Sequence, residues 1–170
     1  DDGRVMRQAE RTSAKIISFG LSPQASLFAD NIRVLQEGSR TEGLSFKLNS
    51  DGKSIPVRLP AVVARHHLSA VLAAAAVGTA LKMNLVDVAA ALTEFRALPG
   101  RMNLLEGDAG IRIIDDTYNA SRVSTEAALA TLRELLAPRK VAILGDMLEI
   151  GRGSDEMHRA LRDMAIASGA

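Results

Sequence analysis

Two loops concentrate the residue types able to do chemistry in this sequence. Asp115-Asp116-Thr117-Tyr118-Asn119 follows an apolar run, Ile111-Arg112-Ile113-Ile114, and Gly145-Asp146-Met147-Leu148-Glu149-Ile150-Gly151 follows another, Val141-Ala142-Ile143-Leu144. A carboxylate at the carboxyl end of a strand accepts hydrogen bonds from ligand hydroxyls or holds a cation. The plain alternative is an Asp pair that satisfies the amides of its own loop. Two acid-bearing loops converging on one edge make a constellation that neither makes alone. Arg101, in the run Leu98-Pro99-Gly100-Arg101-Met102, is either a solvated charge or a fork for phosphate. His66 and His67 precede an Ala-rich run. With no cysteine in the chain and no carboxylate beside them, they lack the partners of a metal shell, which leaves a helix-start or adenine-facing role. His158 falls in the first turn of a helical pattern, where a histidine is ordinarily a surface or capping residue.

Asp51-Gly52-Lys53-Ser54 contains the Gly-Lys-Ser that ends a phosphate-cradling loop, but the motif does not hold. Lys47 stands where the earlier glycine belongs, and Ile55-Pro56 continues an extended pattern where a helix should begin.

The elements that must position these residues follow from periodicity. Residues 14–20 read as a short strand stopped by Gly20, and Ile32 and Val34 suggest another. Leu44 to Leu48 and Ile55 to Leu59 alternate apolar and polar residues around Asn49-Ser50-Asp51-Gly52, which predicts an antiparallel hairpin with one buried face. From Leu68 the period changes: Leu68, Val71, Leu72 and Ala75 share one helical face. Asn84 reads as an N-cap with Asp87 three residues on, and Leu85, Val88, Ala89, Leu92 and Phe95 repeat the helical spacing, giving a helix pair. Leu98-Pro99-Gly100 breaks the pattern and marks a domain boundary near residue 98. Beyond it the order is strand 111–114, helix 124–136, strand 141–144, helix 154–167. Strands so short and apolar favour a parallel sheet with helical crossovers, in which loops 115–121 and 145–153 share the carboxyl edge where ligands bind.

Composition sets the frame. Lys and Arg total 21 against 20 Asp and Glu, a net charge of +1, so no field recruits nucleic acid, anionic lipid or an acidic partner. Hydrophobic residues at 47% and charged residues at 24% describe a globular chain. The absence of cysteine excludes a disulfide scaffold, a thiolate metal site and a thiol nucleophile, and fits a reducing compartment, so a cytoplasmic location is expected. The uncharged stretch from His66 to Leu81 falls short of the roughly 20 apolar residues a membrane span needs. Asp1-Asp2-Gly3-Arg4 carries neither an initiator Met nor a leader pattern, and the last helical pattern has nothing after it, so a piece of a longer protein is expected.

The run from Leu98 to Met102, then Ile113 to Ser121, then Leu144 to Gly151 with His158, resembles the Mur ligases. Asp1-Asp2, Ser18-Phe19-Gly20 and the stretch from Arg65 to Ala76 follow the family pattern more loosely. The resemblance implies that residues 1–97 are the later part of a central ATP-binding domain, an antiparallel hairpin with a helix pair. Residues 98–170 would then be the first half of a Rossmann-like parallel-sheet domain, so the fold class is α/β. It implies an ATP-dependent ligase of peptidoglycan synthesis, forming an amide through an acyl phosphate. The Tyr-Asn-Ala and Gly-Asp-Met-Leu-Glu loops resemble the member that joins D-alanyl-D-alanine to a UDP-N-acetylmuramoyl-tripeptide. ATP and Mg2+ are implied, with the phosphate-binding loop and the Mg2+ ligands outside these residues, so the fragment alone is expected to be inactive. A monomer is expected.

By the same resemblance Arg101 reaches the nucleotide from the hinge, and Asp116 accepts hydrogen bonds from the ribose hydroxyls. Tyr118, Asn119, Asp146 and His158 face the acceptor side. His67 and Ala70 stand where the family usually shows two asparagines that contact adenine, which leaves His67 as the nucleotide-facing residue there. Arg122 stands where a proline usually follows the Asn-Ala loop, so that loop should be less rigid. Two other readings remain at this point: a non-catalytic remnant that binds partners, and a receiver-like domain phosphorylated on Asp146. The chain alone is expected to be marginally stable, because its first half exposes sheet edges.

Overall fold

A computed structural model describes residues 2–38 and 40–170. The chain forms two compact units: Asp1–Leu35 with Gly43–Pro60 and His66–Phe95, and Gln36–Glu42 with Ala61–Arg65 and Arg96–Ala170. The second unit therefore takes in two segments from before residue 98.

The first unit opens with a short helix α1 (Gly3–Met6) and a 3-10 turn (Arg7–Arg11). The strands β1 (Phe19–Gly20), β2 (Leu27–Glu37), β3 (Arg40–Ser50) and β4 (Lys53–Pro60) line up in that order in one sheet. The expected strand at 14–20 shrinks to Phe19 and Gly20, because only these two find ladder partners, Leu27 and Phe28 of β2, in parallel register. β3 and β4 form the expected antiparallel hairpin, with Leu44 opposite Leu59, Phe46 opposite Val57 and Leu48 opposite Ile55. Their alternation is the two-residue strand period made visible: Leu44, Phe46, Leu48, Val57 and Leu59 are buried while Lys47 and Arg58 are exposed. Asp51 and Gly52 close the hairpin with φ of +49° and +73°, the doubly left-handed turn whose twist matches that of the strands. Lys53 and Ser54 accordingly lie in β4, with no helix after them.

Helices α2 (His67–Ala80) and α3 (Leu85–Leu92) complete this unit. Leu68, Val71, Leu72 and Ala75 are buried as their spacing predicts. Asn84 caps α3 by accepting a hydrogen bond from Asp87 N at 2.9 Å, and Val88, Ala89 and Leu92 turn inward.

In the second unit, β5 (Asn103–Glu106) and β6 (Arg112–Asp115) are joined through a 3-10 turn at Asp108–Gly110 and pair antiparallel, Leu104 opposite Ile114. Helices α4 (Arg122–Glu134) and α5 (Ser154–Ala167) follow and pack on each other. Two details of the expected sheet change. Residues 141–144 form no strand among the described residues, and β6 pairs with its upstream neighbour β5 instead of with that run. An apolar composition asks for burial but names no ladder partner, and here Val141 is 60% and Ile143 94% exposed.

Within this unit a charge cluster joins the start of β3 to β5 and β6. Arg40 meets Glu42 at 2.8 Å and Glu106 at 3.0 Å, Arg112 meets Glu106 at 3.3 Å, and an Arg112 Nη1 donates to the Thr41 carbonyl. Exposed pairs contribute little singly, so the partly buried Arg112, held at several points, is the geometric centre of the network. Arg65 likewise reaches Glu134 of α4 at 2.9 Å. No helix among the described residues is long and apolar enough to cross a membrane.

Candidate functional site

The turn at 98–102 and the loop after β6 are brought together by strand register. Because Asn103 pairs with Asp115, the residues just before β5 lie beside those just after β6. The turn closes through Arg101 N donating to the Leu98 carbonyl at 3.0 Å. Gly100 has φ +71°, and a Cβ there would stand 3.0 Å from Tyr118 N, so glycine is required on both counts. Met102, at φ +54°, drives its fully buried side chain into the unit and anchors the far end of the turn.

Both aspartates then bind the turn. Asp115 Oδ2 accepts from Gly100 N at 2.9 Å, and Asp116 Oδ1 accepts from Met102 N at 3.1 Å. Asp115 Oδ1 accepts from the Thr117 hydroxyl at 2.7 Å and from Thr117 N at 3.2 Å, and Tyr118 N donates back to the Gly100 carbonyl at 3.1 Å. The Thr117 hydroxyl, then the Gly100 amide, hold the Asp115 carboxyl below its ordinary pKa against the smaller opposing effect of burial. Asp116 spends one oxygen on the turn, and its Oδ2 makes no hydrogen bond among the described residues. Asn119 is exposed, and its Oδ1 accepts from Ala120 N at 2.9 Å.

Arg101 is held differently. Its guanidinium carbon lies 3.9 Å above the centre of the Tyr118 ring, and it makes no ion pair among the described residues. Tyr118 is 70% exposed.

A second group surrounds His158. Met147 N donates to Nε2 at 3.0 Å, so that nitrogen is unprotonated, and Nδ1 carries the proton and donates to the Ser154 carbonyl at 2.8 Å. The imidazole thus braces the loop beside Asp146, which is exposed, against the first turn of α5, with Met147 buried beneath. Ser121 starts α4 with a reciprocal cap: Ser124 N donates to its hydroxyl at 3.2 Å and its own N donates to Ser124 Oγ at 3.0 Å. Arg122 pairs with Glu126 at 2.7 Å, and Glu156 of α5 adds a weaker attraction, so the starts of α4 and α5 lie within electrostatic reach.

Of the residues the sequence singled out, Arg101, Asp116, Tyr118 and Asn119 are gathered around one turn, and Asp146 and His158 around one loop, all in the second unit. His67 belongs to the first unit, half-buried in α2, where its ring meets His66 at 4.7 Å and Phe95 at 5.9 Å between centroids. Sequence analysis raised an Asp pair that satisfies the amides of its own loop as the plain alternative, as Asp115 does at Thr117 N, but did not single out Thr117 and Gly100 as its partners in the structural lock. The Asp-x-Thr spacing of a side-chain-capped turn was the available signal. A divalent cation does not fit these carboxylates, since Asp115 has both oxygens engaged and no group of three or more His, Asp or Glu gathers to hold a metal among the described residues.

Residues 100–168, which contain both groups, match the family model described as Mur ligase, glutamate ligase domain. Over these residues the chain belongs to the Mur ligase family. It is 33% identical over 158 residues to the UDP-N-acetylmuramoyl-tripeptide--D-alanyl-D-alanine ligase of Escherichia coli strain K12, an alignment covering 92% of this chain and 33% of that protein. It is 35% identical over 164 residues to the UDP-N-acetylmuramate--L-alanine ligase of Stenotrophomonas maltophilia strain K279a, covering 94% of this chain and 33% of that one. Its fold matches a crystal structure of MurF from Acinetobacter baumannii with a TM-score of 0.81 at 32% identity, over 98% of this chain and 34% of that one. The chain spans about a third of the length of these Mur ligases.

Proposed function

We propose that this chain works within a longer polypeptide as part of an ATP-dependent Mur ligase that joins D-alanyl-D-alanine to a UDP-N-acetylmuramoyl-tripeptide in the cytoplasm. Residues 1–97 would be the later part of the ATP-binding domain, and 98–170 the opening of the domain that follows it. The observation that carries the reading is the 98–102 turn, which two aspartates hold rigid while Arg101 keeps its charge available and Asp116 keeps one oxygen. An uncommitted guanidinium suits phosphate and a carboxylate oxygen suits ribose hydroxyls. The similar MurF of Thermotoga maritima, 26% identical with a TM-score of 0.74, was crystallised in complex with ADP, which supports a nucleotide as the ligand.

Amide formation through an acyl phosphate needs positioning and charge neutralisation more than proton chemistry, and these residues supply both. Asn119 and Asp146, both exposed, would face the incoming amine, as would the uncovered side of Tyr118; His158 acts there by holding the Asp146 loop in place. His67 would stand in for the family's adenine-contacting asparagine. Magnesium would be held by residues outside this chain.

The complete ligase polypeptide carrying this segment, given ATP, magnesium and the tripeptide precursor, should release phosphate when D-alanyl-D-alanine is the acceptor, and the 170-residue chain alone should release none. Phosphate release with L-alanine on UDP-N-acetylmuramate instead would move the chain to the other branch of relatives. No release with either acceptor would leave the remnant reading, and labelling of Asp146 by acetyl phosphate would favour the receiver-like one.

A further inference from the structure

A cation in a protein is ordinarily oriented by a carboxylate, which neutralises the charge it orients. Arg101 is oriented without that loss. Two carboxylates on the neighbouring loop, those of Asp115 and Asp116, accept from the amides of Gly100 and Met102 on either side of it, while the guanidinium itself lies 3.9 Å over the Tyr118 ring. An aromatic face attracts a cation through its quadrupole and takes up none of the five N–H donors that a phosphate would use.

The ring is itself registered to the turn. Tyr118 N donates to the Gly100 carbonyl at 3.1 Å, and any side chain at residue 100 would press on Tyr118 N and Cβ at 3.0 and 3.1 Å. Ring and guanidinium therefore belong to one locally braced unit, built from the backbone of residues 98–102 and 115–118.

We propose that Tyr118 is a positioning residue for Arg101, holding the guanidinium over its ring, with its charge and donors unspent, to receive the polyphosphate of a nucleotide. This rests on the nucleotide reading of the chain given above. It moves Tyr118 from the acceptor side, where the family resemblance puts it, to the nucleotide side, through Arg101. The phenol oxygen has no part in this role; the π face does all of it.

Two measurements test the proposal. Tyr118 is the single tyrosine in a chain without tryptophan, so tyrosine emission from the 170-residue chain reports this ring alone. If the guanidinium covers one face, neutral acrylamide should quench the emission more steeply in Arg101→Ala than in the parent chain. In the complete ligase, Tyr118→Leu should raise the KM for ATP about two- to fivefold, the effect of one exposed cation–π contact, with a smaller change in kcat. Tyr118→Phe keeps the ring and should restore the parental KM, and Tyr118→Leu should add nothing once Arg101 is Ala. Equal quenching with and without the guanidinium overturns the proposal and leaves the nucleotide reading standing. A KM for ATP indifferent to Arg101→Ala overturns it through that reading instead. A rise confined to the KM for the amine acceptor returns Tyr118 to the acceptor side and overturns it too.

Discussion

Asp115 shows how a residue that looks catalytic from its type and place can be spent on architecture. Its carboxylate accepts from the Thr117 hydroxyl, the Gly100 amide and the Thr117 amide, and these bonds favour the charged form and keep its pKa depressed. A depressed folded-state pKa contributes stability that is fully present above the unfolded carboxylate value, about 4, and is lost as pH falls through the folded value below it. Asp115→Asn should therefore lower the Tm at pH 7 and narrow its gap from the parent as pH drops below about 4. Asp2, also depressed through its contacts with Arg4, is present in both proteins, so its contribution cancels and the difference between them isolates Asp115. A Tm gap that stays constant from pH 7 to pH 3 would contradict this account. The sequence made the Asp pair visible but could not say which oxygen meets which amide, because that depends on the β5–β6 register bringing residue 103 opposite residue 115.

Helices were the most legible elements, since their signals are local: a cap, a period and a stop. α5 begins and ends where its amphipathic pattern does, and Asn84 caps α3 as its side chain and spacing require. Strands depend on partners far along the chain, which is why 14–20 contracts to two residues and 141–144 forms no ladder. α4 offers a test of how local the helix signals are. Ser121 has extended backbone, φ −134° and ψ 159°, and its cap bonds pass to and from Ser124, so Ser121→Ala should cost about 1 kcal/mol. Arg122, next in line, occupies the first helical position, where proline's fixed φ is already helical and its missing N–H is no loss. The extended conformation of Ser121 is also the one a following proline requires. Arg122→Pro should thus leave the urea midpoint unchanged or raised, despite losing the contact with Glu126, because it stiffens the unfolded chain. A large drop in the midpoint would mean that the Arg122 pairing, or its N–H, matters more than its position implies.

The two units differ in how much apolar surface each removes from water, and this governs the stability of the whole chain. In the first, Leu27, Leu44, Leu48, Leu59, Leu68 and Leu72 are all fully or almost fully buried between a sheet and two helices. In the second, Met102, Leu129, Met147 and Leu161 are buried, but Ile111, Ile113, Val141 and Ile143 remain at 60%, 48%, 60% and 94% exposure. Apolar burial is the main favourable contribution to folding, so the second unit is expected to open at lower free energy than the first. Opening free energies vary across a protein with local burial, and amide exchange reads them residue by residue. Amides in β3, β4 and α2 should exchange at least tenfold more slowly than those of β6 and α4, about 1.4 kcal/mol in opening free energy. On the proposal that the chain works within a longer ligase, exchange in the second unit should be slower in that longer protein, with β3 and β4 nearly unchanged. Equal protection across the two units of the 170-residue chain would mean that they unfold as one, and that the brace of Asp115, Asp116 and His158 compensates for what the thin core lacks.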